Sequence, residues 1–467
     1  MLCTGCQTLI GGTDNQTDTQ ANTQQTEAPA EGGYLNGIEI SKFTVVYAEA
    51  DGGYCVRAAK YICDQIKERT GCVLDMDPDY VPSESEYEIV VGETNRDISK
   101  RLDADTQNVQ FAIMADENSI AMEGDYFVIA AAAYFFIETY VPCDGFDSTV
   151  PKEAMVHNPI QKEAKNFIVM IGDGMGFNQT LLFEKYAKNM SSYNDYSDKE
   201  NVFYGYYFPY QGQSRTNSLS GVTDSAAGGT ALATGYKTLN GYVGKDKTGK
   251  NIESLTELAG RLGKATAVIS TDSATGATPS SFSAHALDRD DSDGIKASQA
   301  ETVNKYGTSI LCGQNKYDVS GVKLLESAVK ATLKELSKNE NGFFMMYEEA
   351  HIDKWCHSND MDNTFNAVVR FNQVIGVVME YAFYNPDTFV LITADHETGG
   401  LSKASNGSFS YSQTSHSGAN VPVFAYGMGA EVFNGLTVEN TQIPKTVASM
   451  MGVTGFGADD SYKSLLD

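Results

Sequence analysis

Five short apolar runs recur in the second part of the sequence, and stretches with helical patterning separate them. The runs cover residues 166–171, 265–270, 342–347, 387–393 and 421–426. Continuous apolar strands that alternate with helices predict an α/β fold, with a largely parallel sheet flanked by helices on both faces. Because ligands gather at the carboxyl ends of such strands, the polar residues near these ends are candidates for a functional site.

The region before these runs predicts a second, smaller α/β unit. Apolar strands are expected at residues 43–48, 87–92 and 109–115, and helices at 55–69 and 127–141. This pattern, with the turn Val-Gly-Glu-Thr-Asn-Arg, resembles the small domain that precedes the catalytic domain in several bacterial carbohydrate-degrading enzymes. We find no catalytic constellation in this sequence region and interpret it as a structural or docking module.

The predicted domains are a tether at 1–33, the accessory α/β domain at 34–160 and the larger domain at 161–467, with linker-like sequence at 151–165. The tether is rich in Thr, Gln, Asn, Gly and Glu, and this composition cannot bury a core.

The segment Leu2-Cys3-Thr4-Gly5-Cys6 resembles the end of a bacterial lipoprotein signal, with Cys6 as the lipidated residue. The prediction is therefore an exported lipoprotein on the cell surface, periplasmic or extracellular. The alternative is a disordered start with two incidental cysteines. Further along the chain, disulfide bridges and buried thiols are both left open for Cys55, Cys63, Cys72 and Cys143.

The net charge limits the classes of partner. The chain has 34 basic and 61 acidic residues, a formal net charge of −27. This charge argues against non-specific nucleic-acid binding, which needs a basic surface. If the substrate is an anion, the positive charge that meets it must be local, from a metal ion or a few arginines and lysines.

Several polar segments stand near strand ends or predicted helix starts. Asp173 lies in a Gly-Asp-Gly turn after the first run, where a carboxylate can bridge cations. Ser225 begins a predicted helix, whose dipole and free amides favour a phosphate. Asp353 and His357 are four residues apart, so they share a helical face and can bind one metal. The other segments are Thr-Gly-Ala-Thr-Pro at 275–279 and Thr-Ala-Asp-His at 393–396.

In this order, the segments resemble those of the alkaline phosphatase family. The motifs are Asp-Ser-Ala, Glu-x-x-x-x-Asp-Lys-x-x-His, Thr-Ala-Asp-His and the late His-x-Gly-x-x-Val-Pro-Val-Phe-Ala. The resemblance implies hydrolysis of phosphate monoesters through a phosphoserine on Ser225. It also implies that Arg289 clamps two phosphate oxygens, that Lys354 reaches the phosphate through a water, and that Asp224 orients the arginine. The alternative for Asp224 is a simple helix N-cap.

The same resemblance implies two zinc ions and one magnesium ion. The first zinc would be held by Asp353, His357 and His416; the second by Asp173, Asp395 and His396; and the magnesium by Asp173, Thr278 and Glu348. Mixed histidine and carboxylate sites suit zinc, whereas all-oxygen sites suit magnesium.

Some neighbouring residues remain ambiguous. Glu349 competes with Glu348 for the magnesium, and Gly276 stands where family members commonly have Asp or His. His285 is a candidate for orienting the helix that is expected to start near Pro279 and to carry Arg289. His157 and His351 are interpreted as surface or satisfied core residues.

Two other functions compete with the phosphomonoesterase. The first is a phosphodiesterase or sulfatase of the same superfamily; the usual threonine nucleophile and sulfatase signature are not present at Ser225. The second is a cell-surface adhesion or carbohydrate-binding protein whose first domain does the work. The expected partners are small phosphomonoesters, and the homodimer common in the family is left open.

Overall fold

The computed structural model describes residues 32–49, 53–82, 84–102, 104–142, 145–183, 202–312, 319–458 and 460–467. Cys6 and Cys143 lie outside these residues, as does the tether apart from its last two positions, and the predictions made for them remain predictions. Cys63 and Cys72 are thiols rather than members of a disulfide.

The larger sheet has eight strands and contains all five predicted runs. In spatial order they are Ser309–Cys312, Ala265–Ser270, Phe343–Glu349, Asn166–Gly172, Thr388–Thr393, Val421–Tyr426, Tyr210–Arg215 and Thr437–Glu439. The first five are parallel, and Val421–Tyr426 pairs antiparallel with both of its neighbours. The predicted α/β fold with a largely parallel sheet is therefore confirmed.

The central strand shows why these runs are apolar throughout. All seven residues of Asn166–Gly172 are buried. Ile168 and Met170 point into one hydrophobic core, whereas Phe167, Val169 and Ile171 point into the other. Helices cover both faces: Phe177–Thr180, Ser225–Thr234, Leu255–Arg261, Ala277–Ser283, Ser292–Tyr306, Val319–Leu336, His351–His357, Met361–Tyr384 and Gln442–Met450.

A smaller sheet of six strands precedes it in the chain. Its spatial order is Met76–Pro78, Phe43–Tyr47, Tyr87–Val91, Ser119–Glu123, Phe111–Ala115 and Met155–His157, and its helices are Tyr54–Thr70, Asp97–Arg101 and Ile129–Tyr140. Tyr34–Leu35, Ile38–Glu39 and Asp147–Ser148 form a separate short sheet. The linker prediction at 151–165 was wrong in its first half, because Met155–His157 pairs with Phe111–Ala115.

The two sheets share one continuous hydrophobic core. Two helices of the smaller unit, Tyr54–Thr70 and Ile129–Tyr140, pack on Met361–Tyr384, which we call the long helix. Arg57 and Glu380 form an ion pair at 2.6 Å, and the rings of Tyr61 and Tyr384 lie 4.3 Å apart. In the ranges given above, no helix combines the length and the apolar character that crossing a bilayer requires.

Candidate active site

Ser225 is the first residue of the buried helix Ser225–Thr234, whose residues are mostly small. Small residues are needed here because the helix backbone approaches its neighbours closely. A Cβ at Gly229 would lie 3.1 Å from the Ser281 hydroxyl, and one at Gly228 would lie 3.1 Å from Asp395. The sequence thus sets the first turn of this helix directly against the carboxyl ends of the strands.

Asp224 makes contacts that fit both of the roles considered for it. One carboxylate oxygen accepts the Ala227 N–H at 2.9 Å, which caps the helix. The other accepts the Gly241 N–H at 2.9 Å and lies 3.3 Å from Nη1 of Arg289. The arginine is therefore attached to the start of the helix that carries Ser225.

The Ser225 hydroxyl faces a fully buried histidine. Its Oγ lies 3.2 Å from Nε2 of His396. The same nitrogen lies 3.3 Å from Asp395 Oδ2 and 3.6 Å from Asp173 Oδ1. Burial lowers the pKa of His396 and keeps the imidazole neutral, the form that can bind a metal.

Two carboxylate oxygens beside His396 accept no hydrogen bond from the described residues. Asp395 Oδ1 accepts backbone N–H groups from Gly174 and His396. Asp395 Oδ2 and Asp173 Oδ1 are buried with no hydrogen-bond partner among the described residues. Burial, and then the negative charge of Asp395, raise the pKa of Asp173. Buried oxygens of this kind fit a cation, because a charge is costly to bury unless it is paired.

A second group of ligand atoms lies next to the first. Nε2 of His357 lies 3.1 Å from Nε2 of His416 and 3.2 Å from Asp353 Oδ2. The outer nitrogens bond to backbone carbonyls, His357 to Thr414 at 2.6 Å and His416 to Thr223 at 2.8 Å. Such bonds place the protons on Nδ1 and leave both Nε2 lone pairs facing one point, as in histidine metal sites.

The charges in this second group favour a bound cation or proton. The Asp353 carboxylate accepts a hydrogen bond from the charged form of His357 and so raises the pKa of that histidine to about 9. Burial works against ionisation of Asp353, but hydrogen bonds from His357 and His416 outweigh it and lower the pKa of that carboxyl. The ligand atoms of this trio all lie within 4.8 Å of one another, and so do those of Asp173, Asp353 and His396.

The third group contains oxygen donors only. Glu348 is buried, and the Ser270 hydroxyl donates a hydrogen bond to it. Burial raises the pKa of Glu348 to about 8. The buried Thr278 hydroxyl has no hydrogen-bond partner within the part of the chain that the structure describes. This donor set fits a hard cation such as Mg²⁺.

Glu349 points away from this group, although it was a competitor of Glu348. Arg370 donates to both of its oxygens, and the hydroxyl of Thr271 donates to it at 3.1 Å. His351 borders the same ion pair and is buried, as one of its two interpretations expected. The sequence analysis missed the structural ion pair of Glu349 and Arg370, since this contact joins the end of a strand to the long helix 21 residues further along the chain.

Other residues near the site have different partners. The Lys354 ammonium lies 2.6 Å from Asp272, a residue that the sequence analysis missed although it stands two positions after a strand. His285 bonds to the Gly244 carbonyl at 2.7 Å and to Glu257 at 3.2 Å. The expectation that the helix near it carries Arg289 was wrong, because that helix ends at Ser283 and Arg289 lies in a turn. His157 packs against Phe135 at 4.3 Å, far from the candidate ligands in sequence and on the smaller sheet.

The fold and site together define an α/β protein with clusters of candidate metal ligands beside a serine at a helix N-terminus, near the carboxyl ends of the sheet strands. A family model described as alkaline phosphatase matches residues 164–321 and 313–414. The chain belongs to the alkaline phosphatase family. All predicted site residues except His416 lie within the matched ranges.

Similar proteins agree with this membership. The chain is 30% identical over 298 residues to alkaline phosphatase 4 of Bacillus subtilis, covering 52% of this chain and 64% of that protein. It is 24% identical over 411 residues to the alkaline phosphatase of Escherichia coli, covering 62% and 87%. The structure of alkaline phosphatase from the Antarctic bacterium TAB5 superposes with a TM-score of 0.54 and 26% identity, covering 62% of this chain and 99% of that one.

Proposed function

We propose that the protein hydrolyses phosphate monoesters through a phosphoserine on Ser225. The observation that carries the proposal is the Ser225 hydroxyl at a helix N-terminus, 3.2 Å from His396 and beside two convergent groups of metal-ligand atoms. Membership in the alkaline phosphatase family supports the reaction class.

The ligand groups support two zinc ions and one magnesium ion. The first zinc would be held by Asp353, His357 and His416; the second by Asp173, Asp395 and His396; and magnesium by Asp173, Thr278 and Glu348. When bound, these cations would supply positive charge that favours an ionised serine hydroxyl and stabilises the phosphoryl group. A variant of the TAB5 enzyme is described with Mg bound in its M3 site, which supports the third ion.

The side chains at the site have separate roles in the proposed reaction. Ser225 Oγ attacks phosphorus, the P–O bond to the alcohol breaks, and water later releases phosphate and restores the hydroxyl. Arg289, held by Asp224, offers two N–H groups in a geometry that matches two phosphoryl oxygens. Lys354 adds a second positive charge. Two cations suit the dianion of a monoester better than the monoanion of a diester.

The test compares turnover of a chromogenic monoester with that of the matching diester, at about pH 9, in protein loaded with zinc and magnesium. Ser225→Ala should lose on the order of 1000-fold in kcat, since the nucleophile is removed. Chelation should also abolish turnover. Ser402→Ala, at an exposed serine, should retain it. Preference for the diester, or full activity of Ser225→Ala, would contradict the proposal.

We also propose that the protein is exported and held at the cell surface through a lipid on Cys6. The residues Leu2 to Cys6 support this location. Metabolic labelling with a fatty acid should mark the wild type and not Cys6→Ser; equal labelling, or none in either, would contradict the anchor. A homodimer is proposed from the family resemblance and is tested by light scattering of the purified protein.

A further inference from the structure

Asp272 connects Lys354 to the oxygen-donor group around Glu348. Its Oδ2 lies 2.6 Å from the Lys354 ammonium. Its backbone N–H donates at 2.9 Å to the Ser270 hydroxyl, which itself donates to Glu348. One short segment after a sheet strand therefore contacts both a phosphate-side cation and a candidate magnesium ligand.

The local backbone leaves room for this carboxylate. A Cβ at Gly276 would lie 3.4 Å from Asp272 Oδ2 and 3.0 Å from the Ser273 carbonyl oxygen. Only one-fifth of the Asp272 side chain is exposed, against 41% for Lys354. The more buried aspartate therefore restrains the position of the more exposed ammonium.

We propose that Asp272 is a positioning residue that restrains Lys354 and strengthens the cation site of Asp173, Thr278 and Glu348. The inference rests on the proposed phosphatase function. Asp272 offsets the charge of Lys354, so that bound phosphate meets a weakened cation and leaves more readily. The same negative charge favours a divalent cation at the neighbouring oxygens.

The two effects have opposite signs. Replacing Asp272 with asparagine leaves the Lys354 charge without its partner, and phosphate should then bind more tightly. The same replacement removes an anion near Glu348, and Mg²⁺ should bind more weakly. The two acids are linked by the Ser270 hydroxyl, which accepts the Asp272 N–H and donates to Glu348. If Asp272→Asn merely disrupted the structure, it would weaken the binding of both phosphate and Mg²⁺.

The experiment is calorimetric titration of the zinc-loaded protein with inorganic phosphate and, separately, with Mg²⁺. Asp272→Asn should bind phosphate about threefold to tenfold more tightly and Mg²⁺ more weakly by a similar factor. Glu117→Gln removes one exposed acid between two strands of the smaller sheet and controls for the net charge of −27. It should change neither affinity.

A double-mutant comparison isolates the lysine. In a Lys354→Met background, Asp272→Asn should no longer tighten phosphate binding but should still weaken Mg²⁺ binding. Phosphate binding that is unchanged or weaker in Asp272→Asn overturns the inference, and so does unchanged Mg²⁺ affinity. The measurement of Mg²⁺ affinity needs no turnover, so it tests the role of Asp272 even if the wild type hydrolyses no monoester. Failure of the proposed function alone would appear as a wild type without phosphate binding or turnover.

Discussion

The ion pair between Glu349 and Arg370 allows the cost of one substitution to be worked out. Glu349 is fully buried, and Arg370 is 5% exposed. Glu349 follows directly after Glu348, and Arg370 lies on the long helix. Replacement of Arg370 with methionine removes the charge that pairs with a buried carboxylate, while it keeps most of the apolar volume.

Two estimates of the cost agree. Burial alone would raise the pKa of Glu349, but Arg370 and then the hydrogen bond with His351 lower it from 4.5 to about 2. This difference corresponds to about 3 kcal/mol of stability. Breaking a buried ion pair by removing one partner costs about 3–5 kcal/mol in measured cases. We therefore expect Arg370→Met to lose about 3 kcal/mol at pH 7.

The sign of the pH dependence follows from the lowered pKa. The stabilisation is fully present above pH 4.5, the pKa of an ordinary glutamate, and is lost as pH falls toward 2. The difference between wild type and Arg370→Met should therefore shrink over that range. Below it, Glu349 is protonated in both the folded and the unfolded chain.

Guanidinium unfolding of the metal-free protein, followed by the fluorescence of Trp355, measures this difference, because the chain has one tryptophan. Asp97→Asn breaks the exposed pair with Lys100 and should cost less than about 0.5 kcal/mol. A loss below about 1 kcal/mol in Arg370→Met at pH 7, or an equal loss at pH 7 and pH 2.5, would refute the reasoning.

Three further predictions concern the ligands and the packing. The hydrogen bond with Asp353 raises the pKa of His357 to about 9, and zinc binds only the neutral ring, so zinc affinity should fall about tenfold per pH unit below pH 9. Equal zinc affinities at pH 7 and pH 9, measured by competition with a chelator, would contradict this. Gly174→Ala should lower the free energy of thermal unfolding by about 2 kcal/mol, since Gly174 has φ +75° and a Cβ added there would lie 2.7 Å from the Asp353 Cα. An unchanged Tm would contradict this prediction. Gly376→Leu should lower the free energy of unfolding in urea by about 1–3 kcal/mol, because a Cβ there would lie 2.3 Å from the Tyr54 hydroxyl. A wild-type urea midpoint would disprove the close contact.

Burial on both faces explains which strands could be predicted. The run at 166–171 corresponds to Asn166–Gly172, and each of the other four runs also contains a strand of the larger sheet. Tyr210–Arg215 was missed, because Tyr-Gln-Gly-Gln-Ser-Arg has no apolar run and most of its residues are only half-buried. Its place next to Val421–Tyr426 is set by contacts that no local pattern encodes.

The residues of the candidate site also fall into those that local sequence predicts and those that it does not. Residues in local motifs, such as Asp353 and His357, could be predicted from spacing and resemblance, and the structure brings them together. Asp272 and Arg370 could not be predicted, because the role of each depends on a contact with a residue elsewhere in the chain. Lys354 reaches Asp272 from another helix, and Arg370 reaches Glu349 across 21 residues.

The contact between the smaller unit and the long helix also sets a delay during synthesis. Arg57 and Glu380 are 323 residues apart in the chain. At about 5–20 residues per second, the ribosome needs roughly 15–65 s to make the second after the first. During that interval Tyr61 and Phe127 await the rings of Tyr384 and Phe383. The nascent chain must therefore keep an aromatic surface soluble until its last third has emerged.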